Sequence, residues 1–281
     1  MTDRVLEGLG GMLKKLDLST EWRRFATGIC FLTFICGGCI LTLTVLPIIL
    51  LFSSRPAAIE LRVLRLIRFC FKRFMQYMQF LRPIKAFNIE GLECAQSLGG
   101  CIFIANHPTL IDVVAVISCL PPCHCIVKKS LLEHFYLGRL MRAAGYIAND
   151  HANQLIQDCQ RSLQSGRPIL IFPEGTRSPA YGLNAFSRGA AQIALRTGAP
   201  VVPIVITCEP PTLLKDEPWY AVPPRPMTFT LRFLPPLTLP KTVTDKAGMP
   251  LQVRALTQYF EAFFRHQLHE IIDETTVPYS S

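Results

Sequence analysis

The 281 residues suffice for one large domain or two small ones, half of them are hydrophobic, and the formal net charge is +9. The positive charge lies beside a hydrophobic segment and no nucleic-acid-binding motif is present, so nucleic acid is not an expected partner. The eleven cysteines are scattered along a chain that has enough hydrophobic residues to form a core without disulfides. They do not have the paired spacing of a zinc site. A reducing, cytosol-facing location is therefore expected.

The N-terminal part of the chain contains a hydrophobic segment that is long enough to cross a bilayer. Residues 1–24 mix polar and apolar side chains and are predicted to form an interfacial segment. Residues 25–54 carry no charge, and about 20 apolar residues suffice for one membrane-spanning helix. The preceding region is too long for a signal peptide. We therefore expect a retained membrane anchor at 25–54.

The anchor is interrupted by Gly37-Gly38 and by Pro47, which permit a kink or a re-entrant hairpin. Basic residues flank both ends, so the positive-inside rule assigns no orientation. A hairpin would leave both flanks on the cytosolic side. We favour this hairpin over a single crossing of the membrane.

Residues 55–85 are predicted to form a basic amphipathic helix, because apolar side chains recur there at helical spacing. The basic positions between them are Arg55, Arg62, Arg65, Arg68, Lys72 and Arg73. Such a helix beside a membrane anchor suits a surface that faces anionic lipid head groups. Membrane lipids are therefore expected partners.

Residues 86–281 are predicted to form one folded domain in which short strands alternate with helices. Apolar runs indicate strands at 101–105, 125–127, 169–172, 201–206 and 227–233. A closing amphipathic helix is predicted at 250–272. The alternation favours a layered α/β domain with a mixed sheet flanked by helices.

The stretch from Asn106 to Asp112 follows the first predicted strand and contains a histidine and an aspartate. Proline is tolerated at the first position of a helix, so the helix is predicted to begin at Pro108 with His107 at its cap. Asp112 would then reach one imidazole nitrogen and leave the other free to accept a proton. A capping histidine with a first-turn acid explains the same spacing, so this motif alone does not decide.

The stretch from Phe172 to Ser178 follows another predicted strand and contains an acid, a glycine, a hydroxyl and a guanidinium. Arginine is suited to forked recognition of a phosphate. Open α/β sheets bind ligands beyond the carboxyl ends of their strands. Taken with the histidine motif, this stretch predicts an active site.

With both motifs present, the sequence resembles the glycerolipid acyltransferases of the 1-acylglycerol-3-phosphate acyltransferase type. That family carries an Asn-His-x4-Asp block and a later Phe-Pro-Glu-Gly-Thr-Arg-Ser block, and both are complete here. Further matching positions are Lys128-Lys129, Gly138-Arg139, Gly145-Tyr146-Ile147, Phe186 to Ala190, and Val202-Pro203-Ile204. The resemblance covers roughly residues 86–235 and implies that residues 86–281 are an acyltransferase catalytic domain.

The resemblance implies a role for each matching residue. It makes His107 the general base and Asp112 its partner. It assigns the polar head of the acceptor to Glu174, Gly175, Thr176 and Arg177. Lys128 is a further basic candidate, and Arg139, Arg142 or Arg188 could replace an arginine that the family commonly has and this chain lacks. It places the acyl chain along Val202 and Pro203.

The implied reaction transfers a fatty acyl group from acyl-CoA or acyl carrier protein to the free hydroxyl of a lysophospholipid. The favoured acceptor is 1-acyl-sn-glycerol-3-phosphate, which would give phosphatidic acid, and no metal or other cofactor is expected. The family's middle motif commonly ends in Asp-Arg, whereas this chain has Asn149-Asp150-His151, so another lyso- or hydroxylated lipid acceptor stays open. A hydrolase and a catalytically silent lipid-binding membrane protein also stay open. The sequence does not indicate an oligomeric state.

Overall fold

The computed structural model describes residues 18–53, 55–96, 98–245 and 248–276. Most of the predicted interfacial segment 1–24 lies outside these residues. Within the described chain, seven strands form one mixed sheet that is flanked by helices. The layered α/β fold predicted from the sequence is confirmed.

The elements are numbered in chain order. The strands are β1 (Ile84–Glu90), β2 (Ile102–Ala105), β3 (His124–Lys128), β4 (Ile147–Asn149), β5 (Ile169–Ile171), β6 (Val201–Glu209) and β7 (Met227–Phe233). The helices before β2 are α1 (Leu18–Ile40), a π-helical segment (Leu41–Val45), α2 (Leu46–Leu51), α3 (Pro56–Phe80) and α4 (Glu93–Gln96). Those after β2 are α5 (Asp112–Cys119), α6 (Lys129–Leu132), α7 (Leu137–Ala143), α8 (Ala152–Gln164), α9 (Arg188–Thr197), α10 (Lys241–Thr244) and α11 (Met249–Thr276).

The strand order is β1-β7-β6-β2-β5-β3-β4. The five strands from β6 to β4 are parallel to one another, β7 is antiparallel to β6, and β1 is parallel to β7. β1 and β4 were not predicted from the sequence, because β1 is a largely exposed edge strand and β4 has only three residues. The carboxyl ends of β2, β5 and β3 lie at one edge of the sheet, next to one another.

The sheet has a hydrophobic core on each face, because side chains along a strand point alternately to the two faces. In β2, Phe103 and Ala105 join the core beneath α3 and α5, whereas Ile102 and Ile104 join the core beneath α8, α9 and α11. Phe103 is fully buried, and burial of such a side chain contributes about 1.5–3 kcal/mol to stability. The strand that carries the histidine motif is thus fixed on both sides.

The N-terminal apolar segment is one continuous helical run. Ser19–Leu51 spans 33 residues with a mean hydropathy of 2.5 over its most apolar window, of which only 11% is buried. By length and composition it could cross a membrane. The expected re-entrant hairpin within 25–54 is not observed, since α1 continues through Gly37-Gly38. The irregularity is the π-helical segment just before Pro47, because proline lacks the N–H of a helical hydrogen bond and crowds the preceding turn.

The chain reverses only after Leu51, and α3 then runs back along α1. Trp22 near the start of α1 donates from Nε1 to the carbonyl of Leu81, 3.1 Å away, and Phe34 in the middle stacks on Phe71 with ring centroids 6.2 Å apart. The buried face of α3 consists of Val63, Leu64, Ile67, Met75 and Met78. Its opposite face is basic, with Arg62, Arg65, Lys72 and Arg73 exposed. The two helices therefore form an antiparallel pair on one face of the sheet.

Candidate active site

Three of the predicted site segments lie at the carboxyl ends of neighbouring parallel strands. The histidine motif follows β2, the segment Phe172–Ser178 follows β5, and Lys128 ends β3. Strands that are adjacent in a parallel sheet deliver the residues that follow them to one crevice. The fold thus brings together segments that are far apart in the sequence.

Asn106 fixes the start of the histidine motif to the neighbouring strand. Its Nδ2 donates to the Ile206 carbonyl at 2.8 Å, and its Oδ1 accepts from the Ile206 N–H at 2.7 Å. The buried amide thus continues the hydrogen bonding between β2 and β6 beyond the last residue of β2. This pairing holds His107 at a defined position. Sequence reasoning did not select Asn106 as a site residue, and its place before the histidine was the only available signal.

His107 and Asp112 form the predicted pair. His107 Nδ1 lies 2.7 Å from Asp112 Oδ2, and the Asp112 side chain is fully buried. The same carboxylate accepts from the Thr109 N–H at 2.7 Å and from the Thr109 hydroxyl at 2.5 Å. Asp112 Oδ2 accepts from the Thr109 N–H and therefore also faces Nδ1 as an acceptor, so we assign the proton to Nδ1 and the lone pair to Nε2. The imidazole therefore has the tautomer that a general base requires.

The helix after the motif begins at Asp112, so the predicted start at Pro108 is wrong. The Asp112 carboxylate accepts hydrogen bonds from the Thr109 N–H and hydroxyl. These bonds fix residues 109–111 in a non-helical turn. His107 accordingly lies in the loop before this turn. Burial raises the pKa of the Asp112 carboxyl, and the hydrogen bonds from His107 and Thr109 oppose that shift.

Glu174 connects the two motifs. Its Oε1 accepts from the His107 N–H at 3.0 Å and from the Ser178 hydroxyl at 2.6 Å. Its Oε2 accepts from the backbone N–H and the side-chain amide of Asn184 at 2.8 and 3.0 Å. The buried carboxylate is thus satisfied by the protein itself, and it fixes the backbone of His107. Its predicted contact with the acceptor stays a prediction.

Gly175 and Thr176 form the exposed turn of the second motif. Gly175 has φ +65°, a left-handed conformation that glycine adopts without strain, and no atom lies within 4 Å of the position a Cβ would take. Thr176 is half-buried. The turn leaves open space beside the crevice, which is compatible with the predicted binding of a head group there.

The guanidinium of Arg177 is directed at the backbone carbonyls of the loop that follows β6. Nη1 donates to Leu213 and Leu214 at 2.8 and 2.7 Å, and Nη2 donates to Lys215 at 3.2 Å. In this structure the fork that was expected to hold a phosphate is engaged by the chain itself.

The other basic candidates differ in their placement. Lys128 is exposed at the end of β3, at the crevice, and Arg188 is exposed at the start of α9. Arg139 is exposed on α7, which does not follow a strand directly. The ammonium of Lys129 lies 2.7 Å from Asp150 Oδ2, and this hydrogen bond lowers the pKa of the Asp150 carboxyl. Among the described residues, no carboxylate forms a salt bridge with the ammonium of Lys128, in contrast to Lys129.

Val202 and Pro203 lie near the start of β6, where they pair with Phe103 and Ile104 of β2. Val202 is fully buried within the core. Their predicted contact with an acyl chain remains a prediction, since the apolar cavities next to the site are lined by other residues.

Two apolar cavities lie along the N-terminal helices, and the first of them borders the histidine motif. The first, of about 160 Å³, is lined by Leu110, Ile111 and Leu213 together with α1 and α3. The second, of about 580 Å³, lies between α1, α3 and α7. Phe34 and Phe74 line both cavities, so the two are neighbours. Sequence reasoning missed them, because their walls come from segments that meet only in the folded chain.

Comparison with known proteins agrees with this geometry. The sequence model of the acyltransferase family matches residues 86–207. This part of the chain is an acyltransferase-family domain. The match includes both motifs and the strands that carry them, from within β1 through most of β6. Together with the relatives described next, it confirms the resemblance to the 1-acylglycerol-3-phosphate acyltransferase type.

The acyltransferase domain is similar to several curated proteins. A chloroplastic 1-acyl-sn-glycerol-3-phosphate acyltransferase of Brassica napus is 31% identical over 130 residues, which are 44% of this chain and 38% of that protein. The 1-acyl-sn-glycerol-3-phosphate acyltransferase of Escherichia coli is 34% identical over 120 residues, which are 40% of this chain and 49% of that protein. The aligned part is therefore half or less of each of these relatives.

The crystal structure of the 1-acyl-sn-glycerophosphate (LPA) acyltransferase PlsC from Thermotoga maritima shares the fold. The TM-score is 0.68 at 20% identity, and the match covers 92% of this chain and 97% of that one. The shared fold thus extends beyond the acyltransferase domain to most of the described chain.

Proposed function

We propose that the chain is a membrane-anchored O-acyltransferase. It transfers a fatty acyl group from acyl-CoA or acyl carrier protein to the free hydroxyl of a lysophospholipid. The acceptor we propose first is 1-acyl-sn-glycerol-3-phosphate, which gives phosphatidic acid. The observation that carries the proposal is the His107–Asp112 pair, whose geometry leaves Nε2 free as a base at the edge of the sheet. Relatives named for this acceptor support it.

In the proposed reaction, His107 Nε2 takes the proton of the acceptor hydroxyl while the oxygen attacks the thioester carbonyl carbon. Asp112 stabilises the resulting imidazolium through Nδ1. The tetrahedral intermediate collapses with cleavage of the carbon–sulfur bond, and the imidazolium returns its proton to the departing thiolate. The products are an ester and a free thiol. This route uses no metal or other cofactor.

The acceptor's phosphate is proposed to bind Lys128, which is exposed at the end of β3 beside the crevice. Arg139 and Arg188 are further basic candidates. The acyl chains are proposed to lie in the apolar cavities beside Leu110 and Ile111. Apolar cavities and an exposed cation are both needed to bind a lipid that carries one phosphate.

The proposal is tested by mass spectrometry of lipids after the purified, vesicle-bound protein has been incubated with acyl-CoA or acyl carrier protein donors and a panel of lysolipids. A diacylated lipid with the phosphate head group is the expected product. Release of free fatty acid with every acceptor would indicate a hydrolase. Binding of lysolipid without any turnover would indicate a lipid-binding protein.

Replacing Lys128 with glutamine is expected to raise KM for 1-acyl-sn-glycerol-3-phosphate by about 10- to 100-fold, since a hydrogen bond to a charged group contributes about 1.5–3 kcal/mol. KM for the acyl donor should stay within about threefold. The measurement is steady-state kinetics with each substrate varied in turn. Lys129→Gln is the matched control, because the ammonium of Lys129 is engaged by Asp150. An equal rise in acceptor KM in both variants would show that Lys128 does not bind the acceptor's phosphate.

The full-length protein is expected to remain in the membrane fraction after washing with alkaline carbonate or high salt. The helical run Ser19–Leu51, which carries no charge after Arg24, is long enough for one span, and only 11% of its most apolar window is buried. We propose that the catalytic domain faces the cytosol, where the eight cysteines outside α1 would stay free, as they are in this structure. Release into the soluble fraction by carbonate would contradict the anchor.

A further inference from the structure

The connection between β6 and β7 (residues 210–226, called here the β6–β7 connection) contains no helix or strand and exposes two neighbouring aromatic side chains. Trp219 and Tyr220 are 47% and 56% exposed, and their rings meet edge to face with centroids 5.6 Å apart. Within the described part of the chain, the Trp219 Nε1 and the Tyr220 hydroxyl make no hydrogen bond to the protein. Tryptophan is highly buried on average in folded domains, so an exposed pair of this kind indicates an interaction surface.

The aromatic pair lies against the flank of α1. Ring atoms of Trp219 lie 3.2 and 3.3 Å from the position that a Cβ at Gly28 would take, and the ring contacts Phe31 with centroids 5.8 Å apart. Gly28, Phe31 and Ile35 follow one another at the three-to-four spacing of a single helix face. Ile35 is exposed. The pair therefore continues an exposed apolar surface of α1 onto the connection between two strands of the sheet.

The exposed side of α1 points to a lipid bilayer as the partner of this surface. Phe25, Leu32 and Ile40 are exposed on α1, and the helical run that contains them is apolar enough to enter a membrane. Tryptophan and tyrosine are enriched where a membrane meets water, because the ring enters the apolar layer while the N–H or O–H reaches the head groups. An aromatic pair beside a membrane-embedded helix thus lies where the bilayer interface would meet it.

The β6–β7 connection carries no net charge. Asp216 and Glu217 offset Lys215 and Arg225, and all four residues are exposed. The basic face of α3 differs, because its attraction to anionic head groups is screened by salt. Insertion of two aromatic rings needs no anionic lipid. A membrane contact made by this connection should therefore persist with neutral lipids and at high salt.

The connection also borders the candidate site. Leu213 is buried and lines the cavity of about 160 Å³ beside the histidine motif, and its carbonyl accepts from the Leu110 N–H at 3.2 Å. On the other side of the aromatic pair, the buried side chain of Arg23 in α1 donates to the carbonyls of Pro223 and Pro224, at 3.2 and 2.6 Å. A membrane contact between these two attachments would hold the cavity beside the lipid layer.

We propose that the β6–β7 connection is a second membrane contact, in which Trp219 and Tyr220 enter the interface of a phospholipid bilayer beside α1. The inference rests on the membrane-anchored enzyme of the proposed function, and it adds a contact from outside the N-terminal helices. The contact places the cavity beside Leu110 next to the lipid layer. A lysophospholipid then reaches His107 from the bilayer without passing through water.

Tryptophan fluorescence tests this contact without any activity measurement. The chain has two tryptophans, so Trp22→Phe leaves Trp219 as the only one. The full-length variant is bound to phosphatidylcholine vesicles whose acyl chains carry bromine, a quencher, at a shallow or at a deep position. We expect shallow bromine to quench about half of the Trp219 emission, deep bromine to quench less, and high salt to change neither result.

The matched control is Trp22→Phe/Trp219→Phe/Leu251→Trp, because Leu251 is similarly exposed on α11, which packs on the opposite face of the sheet. Its emission should be quenched by acrylamide in water and not by brominated lipid. Equally weak lipid quenching of both variants would overturn the proposal. Loss of Trp219 exposure to acrylamide on dimerisation in detergent, without lipid quenching in vesicles, would instead assign the pair to a second copy of the chain. If the full-length protein does not bind vesicles at all, the anchor of the proposed function fails and this contact fails with it.

Kinetics measures the consequence of the contact. Tyr220→Ser keeps the Trp219 ring on α1 and removes one inserted ring, so it should lower kcat/KM for vesicle-embedded 1-acyl-sn-glycerol-3-phosphate by about fivefold. With a short-chain, water-soluble acceptor, the same variant should stay within about twofold of the unmodified protein. Equal losses with both acceptors would show a structural role only and would contradict the proposal. If no acceptor is acylated, the proposed function fails, and the fluorescence result still decides whether the connection contacts the membrane.

Discussion

Replacing His107 with alanine is expected to reduce turnover by about two to four orders of magnitude, the usual loss when a general base is removed. Nε2 is the site's proton acceptor in the proposed reaction, and Asp112 already occupies Nδ1 at 2.7 Å. Folding should be retained, because the contacts that fix this backbone do not use the imidazole. The His107 N–H donates to Glu174 at 3.0 Å, and its carbonyl accepts from the Ser178 N–H at 2.7 Å.

The measurement is the rate of diacylated lipid formation, with the thermal unfolding midpoint and vesicle association measured on the same samples. His266→Ala is a suitable control, because this exposed histidine lies on α11, away from the crevice. Near-normal turnover in the His107 variant would show that the base lies elsewhere. Loss of turnover together with loss of folding would call for His107→Gln, which keeps a polar side chain and removes the basic nitrogen.

Replacing Asp112 with asparagine is expected to reduce turnover by about three orders of magnitude without raising KM for the acceptor, because the histidine then adopts the wrong tautomer. An amide that turns its NH2 towards Nδ1 requires a lone pair there, which moves the proton to Nε2 and removes the base. The loss should not arise from unfolding. The amide fills the same space as the carboxyl, and burial of an uncharged group carries a smaller desolvation cost.

Thermal unfolding and steady-state kinetics of the Asp112 variant separate these contributions. Asp158→Asn serves as the control, because Asp158 lies on α8 and pairs with Arg161 away from the crevice. An Asp112→Asn protein that keeps its unfolding midpoint and loses turnover supports the tautomer argument. An equal loss of turnover in both variants would contradict it, and so would full activity of Asp112→Asn.

The sequence by itself determined the fold class and the chemical content of the site. Buried strands such as β2, β5 and β6 are continuous apolar runs, and the pattern of a run is a local property that needs no knowledge of its neighbours. The pairing of His107 with Asp112 was also predictable, because five positions of chain cannot separate the two side chains far. The start of the helix was not, because it depends on the Thr109 hydrogen bonds and not on proline preference alone.

Only the tertiary structure decided which contacts the second motif makes within the chain. The carboxylate of Glu174 accepts from the N–H of His107, 67 positions earlier in the sequence, and the guanidinium of Arg177 donates to the carbonyl of Leu213, 36 positions later. The sequence shows which side chains can bind a phosphate, but not that the chain itself supplies their partners. The apolar cavities have the same origin, since their walls come from α1, α3, α7 and Leu213. Residue types determine the chemistry that a site can offer, whereas contacts between distant segments determine which of those groups remain free for a substrate.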